Sequence, residues 1–62
     1  MERTYDIFEK ENDGSMLWRV AVPGHEAAIR KLQELATQSP NEFHLMHIPT
    51  KTTIATINVP KT

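Results

Sequence analysis

The chain contains no cysteine among its 62 residues, so disulfide stapling is closed to it. It has only two glycines, Gly14 and Gly24, and no phosphate-cradling glycine-rich loop can be built from them. Nothing approaches the roughly 20 apolar residues that a membrane helix requires. The N-terminal Met1-Glu2-Arg3-Thr4-Tyr5-Asp6 lacks the basic-then-apolar order of a secretory signal. A cytoplasmic protein with no membrane partner is therefore expected. An excess of positive charge is also missing: seven Lys and Arg face eight Asp and Glu, a formal net charge of -1. The basic residues Arg3, Lys10, Arg19, Arg30, Lys31, Lys51 and Lys61 are dispersed along the chain. Proteins that hold a phosphate backbone cluster such charges, because each neutralised phosphate releases counterions, and nucleic acid is accordingly disfavoured as a partner.

Catalytic patterns are equally sparse. The two serines, Ser15 and Ser39, both fall in turn segments, where serine serves local hydrogen bonding, and neither sits in a Gly-x-Ser-x-Gly elbow. No two carboxylates are placed where burial would split their pKa values for acid–base work. The only close histidine pair, His44-x-x-His47, lies in a strand-like stretch, where a spacing of three turns the side chains to opposite faces. A metal site needs three or four converging ligands, and only the remote His25 remains to join. No catalytic, cofactor-binding or metal-ligating residues are assigned, no cofactor is expected, and an enzyme is not the expectation.

The remaining composition describes one small α+β domain over residues 1–62. Residues 4–10 form a first strand, with Tyr5, Ile7 and Phe8 giving aromatic and β-branched character. Asn12-Asp13-Gly14-Ser15 then marks a hairpin, since Asp-Gly suits a two-residue type I′ turn. Residues 16–22 return as a second strand, stopped by Pro23-Gly24. Ala28, Ile29, Leu32, Leu35 and Ala36 recur at three-and-four spacing, which predicts a helix over about 25–37. Pro40 ends it by disfavouring helical geometry at the preceding residue. Residues 42–48 and 52–59 form the third and fourth strands, the last rich in Thr, Ile and Val. The expected fold is ββαββ, a four-stranded, mainly antiparallel sheet with the helix on one face. Numbering the strands in chain order, the orders 1-2-3-4 and 2-1-4-3 both fit two hairpins.

Counting from a two-residue loop places Tyr5, Ile7, Met16, Trp18, Val20 and Val22 on the core face. A loop one residue longer would instead bring Phe8 opposite Trp18. In the second hairpin, Phe43, Leu45, Ala55, Ile57 and Val59 fall together and complete the core.

The pattern Tyr5-x-Ile7-Phe8, Asp13-Gly14-Ser15, Trp18 and Pro23-Gly24 resembles that of short uncharacterised bacterial proteins of ββαββ organisation. The likeness covers about the first 25 residues, implies the same fold and brings no activity with it.

One helix covers only one side of such a sheet. The other side would carry Phe8, Leu17, Met46, Ile48 and Ile54, diluted by Asp6, Lys10, Arg19, His44 and Thr56. That apolar content marks a possible interface for a second copy or another protein, through the sheet face or an edge strand. A 62-residue chain buries only about 60% of its unfolded surface, and a second subunit is a common remedy. The alternative expectation is a small dimeric nucleic-acid-associated regulator, of antitoxin or repressor kind, in which Arg19, Arg30, Lys31 and Lys51 would have to converge.

Overall fold

A computed structural model describes residues 4–59. Arg3 and Lys61 lie outside them, as do the first three residues of the N-terminal segment considered above. The elements run β1 (Tyr5–Lys10), β2 (Met16–Val22), α1 (His25–Gln38), β3 (Glu42–His47) and β4 (Thr52–Ile57). This is the expected ββαββ order, with every strand pairing antiparallel. The expected strands at 42–48 and 52–59 are shorter, because Ile48 enters a turn and Asn58 adopts φ 60°.

The strand order is β2-β1-β3-β4, which neither expected order anticipated. The first strands of the two hairpins pair with each other, and α1 crosses from β2 to β3 over β1 alone. The reason lies in burial. Ile7 of β1 and Phe43 and Leu45 of β3 are the largest fully buried side chains. The strands that carry them take the centre, leaving β2 and β4, neither of which holds a fully buried residue, at the edges. The helix lays Ala28, Leu32 and Leu35 on this pair of strands, while Val20, Val22, Ala55 and Ile57 pack at the margins.

The helix begins at Gly24, whose φ of 92° favours glycine, and no side chain caps it. At the other end, Asn58 Nδ2 lies 3.2–3.4 Å from the carbonyls of Ala36, Ser39 and Asn41. It thus supplies a donor to the Ala36 carbonyl of the last turn, which lacks an intrahelical partner, and to the carbonyls of Ser39 and Asn41 just beyond the helix.

The first hairpin departs from the two-residue loop. Gly14 N–H donates to the Glu11 carbonyl (2.9 Å) and Glu11 N–H to the Ser15 carbonyl (2.8 Å), which makes a three-residue loop. Of Asp13 and Gly14, only Gly14 has positive φ, at 91°, so a type I′ turn is ruled out. The Asp13 carboxylate instead accepts from both the backbone N–H and the hydroxyl of Ser15. The extra residue shifts the pairing to Glu9↔Leu17 and Phe8↔Trp18. A bulge at Arg19 then restores Ile7↔Val20 and Tyr5↔Val22. Two one-residue displacements cancel at the base of the hairpin and remain at its tip.

The second hairpin turns through Ile48–Lys51, where Lys51 N–H donates to the Ile48 carbonyl (3.1 Å) and Lys51 holds φ 52°. A left-handed conformation costs a side-chain-bearing residue about 1–2 kcal/mol. Lys51→Gly should therefore stabilise the domain, by about 0.5–1 kcal/mol after the extra chain entropy of glycine. A higher urea midpoint with an unchanged slope is the expected result.

Candidate outer-face interaction site

In an antiparallel sheet, residues directly opposite each other share a face. Tyr5, Ile7 and Glu9, with Phe43, Leu45 and His47, therefore face the helix, and Asp6, Phe8 and Lys10, with Glu42, His44 and Met46, face away. The bulge at Arg19 gives β2 a split character. Val20 and Val22 stay on the helix side, while Trp18, opposite Phe8, and Met16, opposite Lys10, turn to the uncovered side. Both are 49% exposed. The expectation that Met16 and Trp18 belong to the core is corrected on this ground. Val59, also expected in the core, follows the left-handed Asn58 and is exposed.

The proposed outer residues separate in the same way. Phe8 and Met46 come together on the uncovered face, where with Met16, His44 and Thr53 they line a shallow hollow of about 180 Å³. Ile54 is exposed at a second bulge, between the Leu45↔Ala55 and Met46↔Thr53 pairs of edge strand β4. Ile48 sits in the turn beyond β3. Leu17 does not join them: its partner is Glu9, so it lies on the helix side at the sheet edge. Thr53, Met16 and Trp18 are the members that sequence counting missed. The loop length and the two bulges that place them leave no mark in hydrophobic periodicity.

Across the uncovered face, Trp18, Phe8 and His44 form a row over β2, β1 and β3. His44 Nε2 is paired with Glu42 two residues earlier on the same face. Beside this row Asp6 is 9% exposed, and its Oδ1 is buried without a hydrogen-bond partner. Such an atom costs about 1–3 kcal/mol. The face thus combines an apolar hollow and an exposed indole with carboxylates at Asp6 and Glu42, and Lys10 is its one cation among the described residues.

The helix side carries a different polar group. Glu9 is 4% exposed and accepts from Arg19 Nη1 (2.5 Å), Ser39 Oγ (3.0 Å) and Asn41 Nδ2 (2.7 Å). The bond from Asn41 leads in holding its carboxyl below the usual glutamate value, and those from Ser39 and Arg19 with the Arg19 charge add to it; burial opposes them. The cluster pins β1 and β2 to the segment that follows the helix. All three donors are spent on one carboxylate, which makes it a structural joint.

The histidines diverge. His44 lies on the uncovered face, whereas His25 and His47 flank Tyr5 on the helix side, with ring centroids 5.8 and 5.1 Å from it. Among the described residues, no three potential ligands gather as a metal site would require. A second hollow, about 310 Å³, is an open trough along the exposed side of the helix past His25 and Ile29. Its Glu26–Arg30 pair, at 3.5 Å, is solvent-exposed, and such pairs contribute little. No helix among the described residues is long and apolar enough to cross a membrane. Comparison of the chain with family models, with curated proteins and with solved structures finds no match.

Proposed function

We propose that this chain is a small interaction module that self-associates through the uncovered face of its sheet, with a binding role in place of a catalytic one. The observation that carries this reading is the hollow between Phe8, Met16, His44, Met46 and Thr53, beside an exposed Trp18 on the side that the helix leaves bare. Tryptophan, methionine and phenylalanine are enriched at the centres of protein interfaces. A module of this size also gains from burying them.

Pairing through the face is favoured over pairing through an edge. Both edge strands are bulged, β2 at Arg19 and β4 at Ile54, and bulges blunt an edge against strand addition. The row Trp18–Phe8–His44 would also suit stacking of nucleic-acid bases. Against that second reading stand the carboxylates of Asp6 and Glu42 on the same face. Arg19, Arg30 and Lys31 are each engaged with a glutamate, and Lys51 sits in a separate turn.

Met16 and Leu17 provide the test. They are neighbours of nearly equal exposure, 49% and 45%, on opposite sides of the sheet. Sedimentation equilibrium from about 10 μM to about 1 mM should show a dimer that Met16→Lys dissociates and Leu17→Lys leaves intact. A dissociation constant of about 100 μM is expected, since an interface this small lies at the weak end of specific contacts. A wild-type monomer throughout the range overturns the reading.

A further inference from the structure

We infer that the Arg19–Glu9 ion pair selects between two registers of the first hairpin and thereby decides which face of the sheet carries Trp18. The inference goes beyond the interaction reading above and holds whether or not the uncovered face is occupied.

The two registers differ only at the tip. In the structure, the three-residue loop and the bulge at Arg19 enclose residues 16–18, and the ladder at the base, Ile7↔Val20 to Tyr5↔Val22, depends on neither. Shortening the loop to Asp13-Gly14 and flattening the bulge would move residues 16–18 by one place and bring Arg19 into the ladder. Glu11 would then face Met16, Lys10 would face Leu17, Glu9 would face Trp18 and Phe8 would face Arg19. Every residue of β2 would pair, whereas a bulge leaves one without a partner. A one-residue slip exchanges the faces. Met16 and Trp18 would pass to the helix side, and Leu17 and Arg19 to the uncovered side.

Apolar patterning and turn chemistry both favour the slipped form. It brings two large apolar side chains toward the helix and sends one away, and Asp13-Gly14 suits a two-residue turn. The observed form instead leaves Met16, Leu17 and Trp18 at 49%, 45% and 49% exposure. A polar interaction must therefore hold it. From the bulge, Arg19 Nη1 reaches the buried Glu9 carboxylate at 2.5 Å. In the slipped form Arg19 would lie opposite Phe8, across the sheet from Glu9. The carboxylate would stay covered with only the uncharged donors Ser39 and Asn41, and a buried charge stripped of its counter-ion is strongly disfavoured. Lys10 cannot replace Arg19, because it faces the uncovered side. Asp13 adds a local preference, since its carboxylate accepts from Ser15, but that contact is exposed.

The chain has no cysteine, so introduced pairs report the register cleanly. Directly opposite residues share a face and can be bridged by a disulfide, whereas residues on opposite faces cannot. Lys10→Cys with Met16→Cys closes in the observed register, and Glu11→Cys with Met16→Cys closes in the slipped one. Each pair is equilibrated in glutathione buffer at low micromolar protein concentration, and mass spectrometry after acid quenching gives its effective concentration. With Arg19 and Glu9 intact, the first pair should be favoured. Arg19→Ala should shift the ratio toward the second pair about 30-fold. Glu9→Gln, which keeps an acceptor and removes the charge, should shift it the same way by about tenfold. Arg19→Lys keeps the cation and should restore the preference for the first pair. Circular dichroism of Arg19→Ala should match the wild type, since its side chain is 39% exposed, and Glu9→Gln reads the same selection should it not. A role confined to stability would lower the urea midpoint and leave the ratio where it was. An unchanged ratio in folded Arg19→Ala overturns the inference, as does a preference for the second pair in the otherwise wild-type chain or closure of neither.

Discussion

Replacing Glu9 by alanine is expected to destabilise the domain by about 2–3 kcal/mol, a large share of the roughly 5 kcal/mol at the lower end for small domains. The side chain is buried at the centre of three donors, Arg19, Ser39 and Asn41. Its removal leaves the two uncharged donors partly buried with no acceptor. Arg19 is 39% exposed and can recover water, so most of the loss comes from the loop after the helix. Glu9→Gln keeps an amide oxygen as acceptor and gives up the charge, and should cost about 1 kcal/mol. Urea denaturation of the three proteins, read by circular dichroism, measures the series. Equal midpoints for wild type and Glu9→Ala would remove the carboxylate from its structural role.

The same carboxylate sets an acid dependence. Its folded pKa lies below the unfolded value of about 4.3, so the folded state holds the deprotonated form more firmly. The contribution is complete above the unfolded pKa and is lost as pH falls through the lower, folded one. Wild-type stability should therefore decline below about pH 4.5. The glutamine variant lacks this contribution and should decline less over the same window. The gap between the two proteins should narrow on acidification.

How far the sequence disclosed this arrangement varies by element. The helix was legible because Ala28, Leu32 and Leu35 recur at a period that only one secondary structure satisfies, and the strands because β-branched runs end in proline or turn residues. The facing of β3 was legible too, since alternation alone separates His44 from His47. Strand order was not, because hairpins constrain only neighbours in sequence. The identity of the central pair is settled by which strands bury Ile7, Phe43 and Leu45. The candidate site was half legible. Phe8 and Met46 belong to regular stretches of the central strands and count correctly. Met16, Leu17 and Trp18 lie between a turn of uncertain length and a bulge, where a one-residue error exchanges the two faces. Glu9 was missed because a glutamate in a strand is read as solvent-facing until its partners, 30 and 32 residues away, are brought to it by the fold.

That exchange of faces yields the second large effect. Phe43 is 1% exposed, lies opposite Glu9 and Ile57 and belongs to the same core as the buried helix residues. Phe43→Ala should cost about 3–5 kcal/mol through lost burial and the cavity left behind, enough to populate the unfolded state at room temperature. Trp18→Ala removes a still larger aromatic group, yet in the monomer it should cost under about 1 kcal/mol, because half of the side chain is already in water. Were the two-residue turn correct, Trp18 would be a core residue and its truncation would rival that of Phe43. Unfolding at low micromolar concentration, below the range where the dimer contributes, separates these cases directly. A collapse of Trp18→Ala alongside Phe43→Ala would return the indole to the helix side and remove Trp18 from the outer face. A ratio of several-fold between the two losses would keep the indole on the uncovered face, half in water.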